Sequence, residues 1–286
     1  MKKTSIALLA LALTGGAATA ADLGKKKAPA PAPVVVSPWD FTVGAGLTTN
    51  YLFRGISQSN NGASVNGNAE LRYTINNTWA AYVGTAGSSI KLTDVDQSPS
   101  LELDALGGVR GTFGNLSTDV GAIAYIYPNY KTPSAFGVFP TNPTFYEGYV
   151  KLGYNVTETI NVGANVNYSP SFLDTGANGT YVSGTAKWTL PMDFALSGEF
   201  GRQFFGTTDR THGHVALPDY NYWNAGLSYS YKFATLDLRY HGTDLSKKEC
   251  AVITGPTGNI NATTSKYCGT AVVGTISFAL TGKDVK

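Results

Sequence analysis

The sequence predicts an all-β fold: a transmembrane antiparallel β-barrel of about twelve strands, with short periplasmic turns and longer extracellular loops. Three observations predict it. Apolar residues alternate with Gly, Ser, Thr, Asn or charged residues in stretch after stretch, the period-two pattern of a wall between hydrocarbon and water. The links between stretches are short, then long, then short again. Aromatic residues collect at the stretch ends.

Residues 1–20 read as a cleaved signal peptide. Lys2 and Lys3 make a basic start, Ile6 to Leu13 is a short apolar run, and Ala18-Thr19-Ala20 is a small-x-small cleavage site. Residues 21–38 carry Lys25 to Lys27, then alternating Ala and Pro, and read as an extended periplasmic linker. Residues 39–286 are expected to form the barrel.

The first strand is expected over 39–54, with Phe41, Val43, Ala45, Leu47 and Phe53 outward and Thr42, Gly44, Gly46 and Arg54 inward. The next stretches are 64–75, 79–90, 100–113 and 116–127. The sixth, 145–155, and the seventh, 159–169, follow; in the seventh Ile160, Val162, Ala164, Val166 and Tyr168 alternate with polar residues. The remainder are 180–190, 193–205, 221–233, 235–245 and 270–281. Asn76-Asn77, Gly114-Asn115, Asn155 to Glu158, Pro191-Met192 and Ala234 mark tight turns, because Asn and Gly tolerate positive φ. The longer links are 55–63, 91–99, 128–144, 170–179, 206–220 and 246–269. An even strand count puts both ends of the barrel on the periplasmic side.

With that topology the aromatics fall into two belts on the lipid face. The inner belt holds Trp39, Tyr73, Trp79, Phe113, Tyr154, Trp188, Phe194 and Phe233, and the outer one Phe53, Tyr168, Phe204, Trp223 and Tyr240. A soluble sandwich would bury such residues in a core instead.

Removal of Lys2 and Lys3 with the leader leaves basic residues equal to the 19 acidic ones, so no bulk attraction to nucleic acid is expected. The two cysteines, Cys250 and Cys268, are expected to form one disulfide in an oxidising envelope. No cofactor is implied. Expected partners are outer-membrane lipids, the outer-membrane assembly machinery and small hydrophilic solutes, with a homo-oligomer left open.

The run Asn50-Tyr51-Leu52-Phe53-Arg54-Gly55-Ile56-Ser57-Gln58-Ser59, with Thr48 and Thr49 before it, resembles the TorF family of outer-membrane porins. Tyr82-Val83-Gly84, Glu102 with Asp104, Tyr125-Ile126-Tyr127-Pro128, and Glu147 with Tyr149 extend the resemblance along most of the barrel. It implies an outer-membrane location and porin character, and names no solute. The last aromatic that assembly machinery could read is Phe278, with eight residues after it.

The inward face collects Arg54, Glu70, Arg72, Glu102, Asp104, Arg110, Asp119, Glu147, Lys151, Lys187, Glu199, Lys232, Asp237, Arg239 and His241. These are the pore-lining candidates for passive diffusion of small solutes, or else the members of a salt-bridged plug. Arg54 is expected to pair with Glu70 or Glu102 and pin the following loop over the mouth. A structural or adhesive barrel working through its loops is the alternative, and a lipid hydrolase using His241 with Ser57, Ser59 or Ser169 is a further one. His212-Gly213-His214 and Asp94-Val95-Asp96 are too sparse to define metal sites.

Overall fold

The computed structural model describes residues 37–92, 100–128, 143–255, 263–282 and 284. The signal-peptide and most of the linker expectations, and Asp94-Val95-Asp96, lie outside the described residues. Twelve strands close into one barrel: β1 (Trp39–Thr48), β4 (Ser64–Thr74), β5 (Trp79–Ser89), β6 (Leu101–Phe113), β7 (Leu116–Ile126), β8 (Phe145–Asn155), β9 (Ile160–Ser169), β10 (Gly179–Thr189), β11 (Phe194–Phe205), β12 (Tyr220–Tyr231), β13 (Ala234–Thr243) and β14 (Ala271–Thr281). Between β1 and β4 lies a small hairpin, β2 (Leu52–Phe53) with β3 (Ile56–Ser57). An α-helix, α1 (Lys247–Thr254), sits in the link before β14.

Every barrel strand pairs antiparallel with its neighbours, and β1 closes the ring by pairing β14 from Thr42↔Thr281 to Thr48↔Thr275. Closure matters physically. Hydrocarbon offers no hydrogen-bond partners, so a spanning sheet must pair every backbone group within itself. The strands are 10–13 residues long, which suits a tilted membrane-crossing strand.

The alternation is visible residue by residue. β9 exposes Ile160, Val162, Val166 and Tyr168 and turns its Asn residues inward. Leu236, Leu238 and Tyr240 do the same on β13. The inner belt is present on the outer wall: Trp39, Trp79, Phe113, Tyr154, Trp188 and Phe233 are all exposed. Its members pack across strands, with Trp39 on Tyr73 at 4.8 Å and Trp79 on Phe113 at 5.3 Å between ring centres.

The tight turns form where Asn and Gly predict them. Asn76 Oδ1 accepts from the amides of Thr78 and Trp79, each at 2.9 Å. Gly114 has φ +61°, and Met192 and Asp193 both sit in the left-handed region at φ 60° and 63°. Two details differ from expectation. The turn before β13 is Lys232-Phe233, with Ala234 already in the strand; Lys232 is exposed there at φ 54°, outside the lumen.

The larger difference concerns β1. It stops at Thr48 instead of running to residue 54. Thr49 makes a last wall contact, its amide donating to the Gly274 carbonyl at 2.9 Å, and the chain then turns into the barrel. Phe53, expected in the outer belt, packs inside against Tyr125 at 5.5 Å. The alternation continues through the bend, so period alone places Phe53 on the wrong side.

Candidate functional site

The inward turn at residue 50 builds a plug from the polar residues of the Asn50–Ser59 run. Asn50 Oδ1 accepts from the Ser57 hydroxyl at 2.7 Å and from the Ser59 hydroxyl at 3.1 Å. Ser59 Oγ accepts from the Tyr51 amide at 2.9 Å, and Ser57 Oγ from the Asn61 amide at 2.8 Å. These bonds, with the Gln58 amide donating to the Tyr51 carbonyl at 2.8 Å, fold the segment back on itself. At the tip, Arg54 at φ 48° and Gly55 at φ 84° turn the chain. A side chain at Gly55 would strike Thr243 and Tyr222, its Cβ lying 2.5 Å from Thr243 Cγ2. Only glycine fits this close approach.

Arg54 is the centre of the plug. Its guanidinium makes two parallel bonds to Glu147 on β8, at 2.8 and 2.7 Å, and a third to Gln203 Oε1 on β11 at 2.9 Å. It lies between the rings of Phe53 and Tyr181, 4.6 and 4.4 Å from their centres. The Arg54 and Glu147 side chains are 9% and 1% exposed, so the pair is buried. Arg54 therefore does pin the loop, but to Glu147 and not to Glu70 or Glu102. Both of those are engaged elsewhere.

Glu102, at the outer end of β6, accepts from the Tyr51 hydroxyl and from the Tyr127 hydroxyl, the latter at 2.9 Å. Asp104 lies one inward position below it, and its Oδ1 is buried with no hydrogen-bond partner among the described residues. Glu70, on β4, is clamped by Arg110 at 2.6 and 2.8 Å. Arg110 also donates its Nε–H to Asp119 at 3.0 Å and lies 3.7 Å from the centre of the Tyr82 ring. The Tyr82 hydroxyl meets Asp119 at 2.6 Å and Tyr149 on the other side. Gly108 and Gly121 make room for these rings: a Cβ on Gly121 would sit 2.6 Å from the Tyr149 hydroxyl.

The opposite wall carries its own cluster. Arg239 pairs with Asp237 at 2.9 Å and donates to Asn224 at 2.6 Å. Glu199 accepts from the Tyr181 hydroxyl at 2.9 Å. Arg72 pairs with Asp40 at 2.5 Å near the inner rim. Lys151 and Lys187, on β8 and β10, form no ion pair among the described residues; the Lys151 ammonium lies 4.6 Å from the Tyr149 ring centre.

Aromatic packing closes the outer mouth around the hairpin. Phe145, Phe172, Tyr125 and Tyr127 form one buried cluster, with Tyr51 and Phe53 against it. Ile56, Tyr220, Tyr222, Tyr267 and both cysteines form another. Cys250 of α1 is bonded to Cys268, as the sequence predicts. The disulfide-bearing segment also holds the plug, because the Ser57 amide donates to the Tyr267 carbonyl at 2.8 Å.

His241 Nδ1 lies 3.0 Å from the Tyr222 hydroxyl, while Ser57 and Ser59 spend their hydroxyls on Asn50. His212 lies 2.7 Å from Asp209 in an outer loop. The Thr211 hydroxyl and His212 together hold the Asp209 carboxyl down at about 2. No group of three metal-ligating side chains occurs among the described residues.

Residues 33–267 match the model of a family described as a bacterial protein of unknown function, Gcw_chp. No curated protein matches the chain by sequence. Among solved structures, a membrane protein from work on in-meso crystallization aligns at TM-score 0.51 with 9% identity, over 85% of this chain and 84% of that one. The NanC porin aligns at 0.49 with 13% identity, over 84% and 100%. The KdgM porin in complex with disordered oligogalacturonate aligns at 0.45 with 9% identity, over 84% and 98%. At these identities the likeness is one of fold alone, that of a closed antiparallel β-barrel.

Proposed function

The chain belongs to the Gcw_chp family of bacterial proteins, and from its architecture we propose that it is an outer-membrane channel for passive diffusion of small hydrophilic solutes, closed at its outer mouth by its own first loop. The observation that carries this is the inward hairpin. Beneath it the inward faces of the strands carry charged and polar side chains, and one buried ion pair, Arg54 with Glu147, fixes it to the wall. A purely structural barrel of twelve strands has no need of so charged an interior, and interior side chains solvated by water or by opposite charge are what a conduction path requires.

The TorF-like run at 50–59 supports the same reading, since its Asn, Arg, Gly and Ser residues are the ones that build the plug. The inner-belt residues and the apolar wall fit insertion in a bilayer, with the signal peptide as the route across the inner membrane. Glu70, Arg72, Arg110, Asp119, Lys151, Lys187, Glu199 and Arg239 line the path below the plug. Opposite charges neutralise one another in most of these clusters, so weak ion preference follows.

The close aromatic packing at the mouth favours a second reading, a sealed barrel that acts through its outer loops. Planar-bilayer recording separates the two. The mature barrel is expected to be mostly silent with brief openings. A variant with Leu52 to Ser57 replaced by a Gly-Ser linker is expected to conduct steadily. Silence from both at high protein dose overturns the channel reading.

A further inference from the structure

The wall has a gap beside the plug. β14 begins at Ala271, and β13 pairs with it from there. Pairing with β1 begins only at Thr275, because β1 leaves the wall after Thr48. Among the described residues Thr49 bridges to Gly274 just above that point, its amide donating to the Gly274 carbonyl at 2.9 Å and its Oγ1 accepting from the Gly274 amide at 3.0 Å. Ala271 to Val273 thus have no β1 partner in the register, at the level where the outer rim begins.

Two cavities meet at this gap and share Thr49. The upper is about 420 Å³ and polar, with Asn50, Asn61, Lys266 and Thr270 around it. The lower is about 450 Å³ and apolar, and runs down the outer wall past Leu47, Gly274, Leu238, Leu236 and Leu227 toward Phe194 at the inner rim. Its flanking side chains point outward, with Leu238 62% and Leu236 52% exposed. Gly274 forms the floor; a Cβ there would meet only Thr49 Cγ2, at 3.8 Å.

We infer that this seam is a binding site for a single lipid, with one acyl chain in the groove and the polar head in the rim cavity. A polar chamber stacked directly on an apolar channel matches an amphiphile and nothing uniformly polar or apolar. The groove is bounded by Leu side chains, and because the wall already faces hydrocarbon a seated chain is held by close van der Waals packing and not by release from water. The lipid seals the wall where β1 departs and packs against the hinge of the plug. The inference rests on the outer wall facing hydrocarbon and not on conduction, so lipid binding and conductance fail separately.

The test is native mass spectrometry of the mature barrel in detergent, titrated with phosphatidylglycerol. Wild type is expected to retain one lipid at low molar ratio. Gly274→Phe fills the groove from its floor and is expected to lower retention about tenfold. Leu238→Ser, which leaves the backbone untouched, is expected to lower it less, and melting of both variants is followed alongside. Equal retention in wild type and both variants overturns the site. So does a graded series of several equally held lipids, or a dimer in place of the lipid-bound monomer.

Discussion

Replacing Arg54 by Ala removes the pin of the plug and leaves its partner stranded. Glu147 is 1% exposed and accepts two bonds from the guanidinium at 2.7 and 2.8 Å. Its remaining donors are the Tyr125 hydroxyl and the Asn167 amide, both at 3.3 Å and weak by distance. Breaking a buried pair from one side costs about 3–5 kcal/mol, because a charge stays behind in a place that water reaches poorly. The hairpin alone carries that cost if the barrel wall holds. Its open-to-closed ratio should then rise by roughly a hundredfold or more, since about 1.4 kcal/mol is tenfold. The assay is open probability in planar bilayers together with heat-induced unfolding of the folded band on gels. Arg54→Met with Glu147→Leu removes both charges and should sit nearer to wild type than Arg54→Ala does. If Arg54→Ala alters neither conductance nor heat stability, the pinning argument fails. If the double variant opens as readily as the single one, the stranded charge is not the cause.

Further outcomes are expected. Cys250→Ser with Cys268→Ser removes a link across 18 residues, worth about 3 kcal/mol by loop entropy, and should speed hydrogen exchange at the Ser57 amide, which is bonded to Tyr267. Unchanged exchange would separate the disulfide segment from the plug. Arg110→Ala leaves Glu70 and Asp119 unneutralised, so reversal potentials in a salt gradient should move toward cation preference. Asp209 is held below its ordinary value, so its contribution to the outer loop is present above that value and is lost only as pH falls through about 2. Thr211→Val should bring its NMR titration midpoint back up toward the ordinary carboxylate range; an unmoved midpoint would leave Thr211 without the role.

Strand positions were legible because each depends on a local period. β8 spans Phe145–Asn155, the predicted range; β9, β11 and β14 differ by a residue at one end, and β10 is shifted by one residue. Inward placement of Glu70, Glu102, Arg110, Asp119, Glu147 and Arg239 followed from the same parity. Their partners did not. Arg54 and Glu147 are 93 residues apart, and choosing among Glu70, Glu102 and Glu147 requires the height of each strand in the tilted ring. Tyr51 and Tyr127, which occupy Glu102, stand in the TorF-like runs but carried no signal of that contact, and His241 found a tyrosine instead of a serine.

What the amino-acid order determined by itself is a wall: which residues alternate, where the chain turns, and therefore that a sheet closes with oil outside and polar groups within. Tertiary structure alone decided that the chain leaves that wall after Thr48 and enters the bore. Phe53 next to Arg54 continues the alternation, and a ring packed on Tyr125 inside is as well shielded from water as one facing lipid outside. Local pattern reports only that a side chain avoids water; which apolar surroundings receive it depends on residues brought together from β7, β8, β10 and β11.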